Sequence, residues 1–297
     1  MKTLTIFTPT YSRAHTLVRT YKSLCNQTCK DFEWLIIDDG STDNTAKFVE
    51  RWIEETDFKI RYIYKENGGL YTGYNTAYAN IETELNVCID SDDYMPYNAV
   101  ELIIKHWKKY GSDEYVGIIG LDFYHDTNSP IGGHFPKDLA KVYFLDLCIK
   151  NIHHGDVKQV MRTDLMKKVA PMIGFKGEKN FNPIYLILQV CDKYPLLVLN
   201  ENLCYVDYQE NDSMSKAIYQ QYRNSPKSLA KQRLLELSLK RNTIKNKFRV
   251  ATHYISSCIF SKDKKWLSNS PEKIITILAL PFGVILNLFI RYKNRQL

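Results

Sequence analysis

Residues 85–96 read LNVCIDSDDYMP, and residues 34–45 read WLIIDDGSTDNT. Both open as short, nearly continuous apolar runs and close on aspartates followed by turn formers. A strand buried on both faces has that apolar character, and such strands belong to parallel sheets covered by helices. Working outward, strand and helix patterns alternate over the first 120 residues. Strands are expected at 3–8, 34–38, 60–65, 85–90 and 116–121. Helices are expected at 14–26, 44–55, 69–81 and 96–110, the last with Pro96 in its first turn. Repeated β-α units of this kind imply an α/β fold with a mostly parallel sheet flanked by helices.

Ligands of open parallel sheets bind at the carboxyl ends of the strands. The notable polar residues fall there: Thr8-Pro9-Thr10-Tyr11, Asp38-Asp39-Gly40-Ser41, Glu66-Asn67-Gly68-Gly69 and Asp90-Ser91-Asp92-Asp93. Past residue 121 the pattern loosens. A loop is expected at 126–133, strands at 141–147, 196–199 and 203–208, and helices at 163–170 and 183–192.

Net charge is +7 at pH 7, with 44% hydrophobic and 25% charged residues, a composition suited to a soluble globular fold. The charge is unevenly spread. Residues 216–297 carry 17 lysines and arginines against three acids, while the first 215 residues are net acidic. A basic tail on an acidic body points to an anionic surface as partner, lipid headgroups or nucleic acid. Seven cysteines without paired spacing imply reduced thiols and a cytosolic setting. The start, MKTLTIFTPTYSR, is a strand rather than a signal peptide, because its apolar stretch is too short. Residues 271–292 hold an apolar run broken by Pro281, Gly283 and Asn287 and flanked by lysines and arginines. At the short limit for a membrane span, it suits an interfacial or re-entrant anchor, with a packed core helix as the other reading.

Three carboxylates in four positions repel one another unless a cation or burial of protons relieves them. Mg²⁺ or Mn²⁺ held by Asp90 and Asp92 would do so, and would stabilise the charge growing on a departing diphosphate. A helix N-terminal cap ahead of Pro96 accounts for the acids equally well. The second acidic turn favours the ligand reading. Asp39 is an acceptor-only partner for an imide N–H of a base, and Tyr11 and Arg13 offer an aromatic face and a cation near it.

With TPTYSR at 8–13, WLIIDDGSTDNT at 34–45, ENGG at 66–69 with Asn75, and CIDSDDYMP at 88–96, the chain resembles the family 2 glycosyltransferases, inverting enzymes of GT-A (Rossmann-like) fold. The resemblance is strong over 1–121 and weaker to 215. It implies that Thr8, Pro9, Thr10, Tyr11, Arg13, Asp39, Asn67, Gly68, Asp90 and Ser91 hold the nucleotide sugar. Asp90 and Asp92 would hold Mn²⁺ or Mg²⁺, with Asp93 beside the donor sugar. Leu70-Tyr71 stands where relatives often carry Lys-His, leaving open which group supplies a basic contact to the phosphates. Inverting transfer needs a base for the acceptor hydroxyl. Glu178 is the residue the resemblance suggests, with Asp156 in His153-His154-Gly155-Asp156 as the alternative, and the two histidines as further metal or acceptor contacts. The segment 200–215 resembles the strand and loop that close over the donor.

The expected organisation is therefore a catalytic domain at 1–215 and a basic helical region at 216–297. The expected activity is sugar transfer to a saccharide or polyprenyl-linked saccharide in polysaccharide synthesis. The expected location is the inner face of a membrane, with no nucleic-acid partner. A nucleotidyltransferase would show a Gly-rich basic loop after strand one, and TPTYSRAH has no glycine. A non-enzymatic nucleotide- or nucleic-acid-binding module would leave the aspartate cluster without a purpose.

Overall fold

The computed structural model describes residues 2–207 and 218–296. Its strands are β1 (Leu4–Thr10), β2 (Phe32–Asp38), β3 (Lys59–Tyr64), β4 (Leu85–Cys88), β5 (Gly117–Tyr124), β6 (Lys141–Val142), β7 (Val157–Arg162) and β8 (Leu196–Val206). They form a single sheet in the order β3-β2-β1-β4-β7-β5-β8-β6. β7 runs antiparallel to both β4 and β5, and β6 antiparallel to β8; the other pairings are parallel. The mostly parallel sheet expected from the apolar runs is present.

Six helices cover the two faces of the β1–β4 half and its neighbours: α1 (Ala14–Cys25), α2 (Thr45–Glu55), α3 (Leu70–Asn80), α4 (Ala99–Tyr110), α5 (Phe144–Ile149) and α6 (Thr163–Val169). One apolar cluster, with Leu17, Trp34, Trp52 and Ile103, lies under α1, α2 and α4. A second, with Phe7, Leu35, Ala77 and Met166, lies under α3 and α6. β1 and β2 are buried at every position, which is why WLIID reads as an apolar run; the threonines of β1 and Glu33 of β2 are buried as well, with Thr5 and Lys59 bonded to Glu33.

Three elements differ from expectation. The stretch 141–147 is only a two-residue strand, after which Phe144 starts α5. The two short strands near 200 are one bent strand, β8, whose register against β5 slips on either side of Leu121. Gly120 makes room for that bend: a Cβ there would sit 2.2 Å from the Leu203 side chain. β7 has no counterpart in the sequence reading, because VKQVMR places a lysine and a glutamine inside a central strand.

The chain continues through α7 (Ile184–Cys191), α8 (Ile218–Asn224), α9 (Pro226–Ser238), α10 (Ile244–Ser261), α11 (Trp266–Asn269) and α12 (Lys273–Lys293). The helices from α9 to α12 have their own apolar cluster, centred on Leu237, Val250, Tyr254, Ile255 and Ala279.

Candidate active site

β1 lies between β2 and β4, with Thr10 beside Asp38 and Phe7 beside Cys88. Three strand ends therefore open side by side, and hydrogen bonds stitch their loops together. The Asp39 N–H donates to the Thr10 carbonyl at 2.8 Å. The Ser12 N–H donates to Ser41 Oγ at 2.8 Å, and the Ala14 N–H to Asp43 Oδ2 at 2.9 Å. Gly40 sits at φ +89 and packs on the Asn67 backbone, a conformation and closeness that glycine permits. Asp39 is 6% exposed and organises the next loop. Its Oδ1 accepts from Lys65 and the Gly68 N–H, and its Oδ2 from the Gly69 N–H at 2.8 Å. Asn67 Nδ2 donates to the Asp39 carbonyl at 2.8 Å. Tyr11 is 54% exposed at the mouth, whereas Thr8, whose Oγ1 accepts from Trp34 Nε1, is buried behind it. Pro9 backs onto Gly73 of α3, and the buried Thr10 Oγ1 has no hydrogen-bond partner.

The Asp90–Asp93 loop joins this rim through α1. Arg13 Nη1 lies 2.8 Å from Asp92 Oδ2, Arg19 donates to the Asp92 carbonyl, and Thr20 Oγ1 donates to the Asp93 carbonyl at 2.7 Å. Asp90 is exposed, Ser91 and Asp93 are buried, and Asp92 is between. Below them the buried Lys158 of β7 lies 3.8 Å from Asp93 Oδ2 and 3.7 Å from Asp122 Oδ1 of β5. These are ion-pair distances, too long for hydrogen bonds. Burial pushes the Asp93 carboxyl well above the usual range despite the opposing pull of Lys158. It lifts Asp122 to about 6. Asp92 is also raised, by burial and by Asp90, against the pull of Arg13. Burial disfavours the charge on Lys158, but Asp122 and its neighbours hold its pKa well above the ordinary value. The result is an acidic rim with one cation embedded beneath it.

A family model, Glycosyl transferase family 2, matches residues 5–169, more than half of the chain. The chain belongs to glycosyl transferase family 2. The matched span contains all four loops just described. Among curated relatives, it is 32% identical over 141 residues to glycosyltransferase GlyA of Streptococcus pneumoniae, covering 48% of this chain and 19% of that one. It is 35% identical over 106 residues to the chondroitin synthase of Pasteurella multocida, covering 36% and 11%. It is 32% identical over 126 residues to the poly(ribitol-phosphate) β-N-acetylglucosaminyltransferase TarP of Staphylococcus aureus, covering 41% and 38%. The matches thus span less than two fifths of each of these relatives. Among solved structures, S. aureus TarS 1–349 in complex with UDP-GlcNAc superposes with a TM-score of 0.61 at 19% identity, over 100% of this chain and 92% of that one. The mannosyltransferase PcManGT of Pyrobaculum calidifontis, in complex with GDP-Man and Mn²⁺, superposes at 0.56 and 15% identity, over 96% and 86%. These likenesses show the GT-A fold.

Glu178 lines a cleft with Asn67 and Gly68, but its carboxylate is turned to α9. It is 8% exposed, and its two oxygens accept from the backbone N–H groups of Lys227, at 3.0 Å, and Ser228, at 2.7 Å. Those are orphan donors of the first turn of α9, whose own Ser225 makes no side-chain cap. Ser225 Oγ instead accepts from the Asn180 N–H at 3.1 Å. Asp156 is exposed at the start of β7, near enough for its charge to raise Asp122. His153 is buried against Phe135, with ring centroids 4.8 Å apart. Tyr71 packs on Phe181. Lys179 donates to Asn67 Oδ1, which brings a lysine to the Asn67-Gly68 loop. A cleft of about 310 Å³ runs there between Asn67, Gly68, Tyr71 and 174–179.

Among the described residues no three metal-ligating side chains come together. Asp90 and Asp92 are hard oxygen donors on one loop, and Asp92 already attracts a cation, Arg13. Such a pair fits Mg²⁺ or Mn²⁺, which commonly take one or two carboxylates and complete their shell with phosphate and water. Residues 208–217, which include part of the expected closing loop, lie outside the described residues. Sequence reasoning missed Lys158, Asp122, Lys65 and Arg19. Arg19 carried a faint signal as a second cation six positions beyond Arg13, in the helix that Arg13 precedes.

Proposed function

We propose that this chain is an inverting transferase that moves a sugar from a uridine nucleotide-sugar donor to a saccharide acceptor in bacterial cell-surface polysaccharide synthesis. The observation that carries the reading is the joining of the Asp39 and Asp90–Asp93 turns at one rim by the β1 end and Arg13. The names of GlyA, TarP and the chondroitin synthase support the polymer class, and UDP-GlcNAc in TarS supports uridine.

Tyr11 offers the exposed ring on which a base can lie, with Thr8, Pro9 and Thr10 as the strand end beneath it. Asp39 Oδ2 accepts one protein bond, which leaves it capacity for the imide N–H of uracil. Asn67, Gly68, Ser91 and Arg13 line the path of the diphosphate, and Lys179 supplies the basic contact that Leu70-Tyr71 lacks. Asp90 and Asp92 would hold Mn²⁺ or Mg²⁺, which when bound stabilises negative charge on the departing diphosphate. Asp93, fixed by Lys158 and the Thr20 bond, stands ready to orient sugar hydroxyls. For acceptor deprotonation we favour the exposed Asp156 over Glu178, whose oxygens are occupied by backbone donors. Residues 1–215 would form the catalytic domain. Residues 216–297 would hold it at the cytoplasmic face of an anionic membrane, where a polyprenyl-linked acceptor resides; the basic charge of that region supports this.

The test is a panel of nucleotide sugars with Mn²⁺ and a saccharide acceptor. Release of nucleoside diphosphate without pyrophosphate is expected, with at least a hundredfold loss in Asp92→Asn while the protein stays folded. Full turnover in Asp92→Asn, or pyrophosphate as the product, would overturn the reading.

A further inference from the structure

α12 has two faces of opposite fate. Thr276, Ala279, Gly283, Asn287 and Ile290 recur at helical spacing and are buried. They lie along α10, and the two helices run side by side in the same direction, from Lys247 against Glu272 to Phe260 under Arg291. The fit is close. A Cβ on Gly283 would meet Ile255 at 2.6 Å, and Asn287 Nδ2 donates to the Ser256 carbonyl at 3.1 Å. The rest of the circumference is apolar and open to solvent. Ile277, Leu278, Phe282, Ile285, Leu288 and Phe289 are all exposed, Leu278, Ile285 and Leu288 by more than 60%. No charged residue interrupts 274–290. An apolar patch this continuous on a soluble surface marks a docking face.

Its rim tells which occupant fits. Lys262, Lys264 and Lys265 are exposed before the helix, Lys273 begins it, and Arg291 and Arg295 are exposed at its end. Cations at both ends of an apolar face match anionic headgroups around an acyl interior. They would repel one another across a dimer of the same faces.

With 21 residues α12 is long enough to cross a bilayer. Its partner decides against crossing. α10 lies beside it throughout, and midway along α10 His253 stands beside Arg233 and Glu236 of α9, so a spanning α12 would draw those polar and charged groups into hydrocarbon. Separating the helices would instead leave Asn287 and Thr276 facing lipid and empty the contact at Gly283. We infer that α12 lies in the plane of an anionic membrane, its Leu278–Ile285 face buried among acyl chains and α10 stacked above it as a platform. This deepens the membrane part of the proposed function and does not depend on which sugar is moved.

The experiment is co-sedimentation of the full chain with phosphatidylcholine vesicles, with and without 30% phosphatidylglycerol, beside alkaline carbonate extraction of cell membranes. Expected are binding at least tenfold stronger to the anionic vesicles, weakening with salt, and release by carbonate. Leu278→Asp/Ile285→Asp should bind at least tenfold more weakly, with urea midpoint and nucleoside diphosphate release unchanged. Retention after carbonate would show a span and overturn the inference. So would unaltered vesicle binding by the double variant, or a dimer in the absence of lipid that the double variant dissolves. Loss of nucleotide release in the wild type would count against the transferase reading and leave this one intact.

Discussion

Glu178→Gln separates two roles that predict opposite results. In the structure the carboxylate caps α9 from a distant loop, taking two backbone N–H donors at 3.0 and 2.7 Å. Glutamine keeps one acceptor oxygen but turns an NH₂ group toward the other donor. One charge-assisted hydrogen bond is lost, about 1.5–3 kcal/mol. The negative charge at the helix N-terminus goes with it, about 0.3–2 kcal/mol. Together the change costs about 2–4 kcal/mol, since the two contributions overlap. For a chain of this size that lowers the melting temperature by about 3–6 °C. Transfer rate at 20 °C should stay within a few-fold of wild type. A catalytic base behaves otherwise: its removal costs about 10²–10⁴-fold in rate and need not disturb melting. Scanning calorimetry and steady-state turnover on the same preparation decide. A hundredfold drop in kcat with an unchanged melting temperature would refute the capping argument and return the base to Glu178.

Two further outcomes follow from buried charge. Lys158→Met leaves Asp93 and Asp122 without their counter-charge and should destabilise the fold by about 3–5 kcal/mol in urea; Lys158→Met/Asp122→Asn should recover a substantial part, and strict additivity would deny the coupling. His253 is pushed down to about 4 by burial and by Arg233 and Arg249. Because the unfolded chain takes up that proton near pH 6.5 and the folded chain only near 4, its contribution to stability is present above pH 6.5 and fades as pH falls through this window. Urea midpoints should therefore drop between pH 7.5 and 5, and His253→Gln should flatten the drop.

The half of the sheet from β1 to β4 was legible because its physics is local. WLIID and LNVC are largely apolar because they are buried in the middle of the sheet, and the aspartate turns at their ends announce where they stop. β7 was not legible. A central strand that carries Lys158 violates the pattern by which central strands are recognised, and it is tolerated only because Asp93 and Asp122, 65 and 36 positions away in sequence, come to stand beside it. The same residue that hides the strand completes the site.

Glu178 shows the converse limit. A motif places an acid in the right stretch of chain, but its chemistry depends on what faces it, and that is the first turn of α9, about fifty residues further on. Ser225 precedes Pro226, the first residue of α9, and is of a type that caps its own helix. In the fold Ser225 turns to Asn180 and leaves its helix to be capped by Glu178. This exchange ties the 178–180 loop to the first turn of the basic helices, beside the contacts of Lys231 with Ile173 and of Arg241 with Tyr143. Removing the Glu178 carboxylate should therefore loosen the first turn of α9 and the 178–180 loop together, because each supplies the other's hydrogen-bond partner.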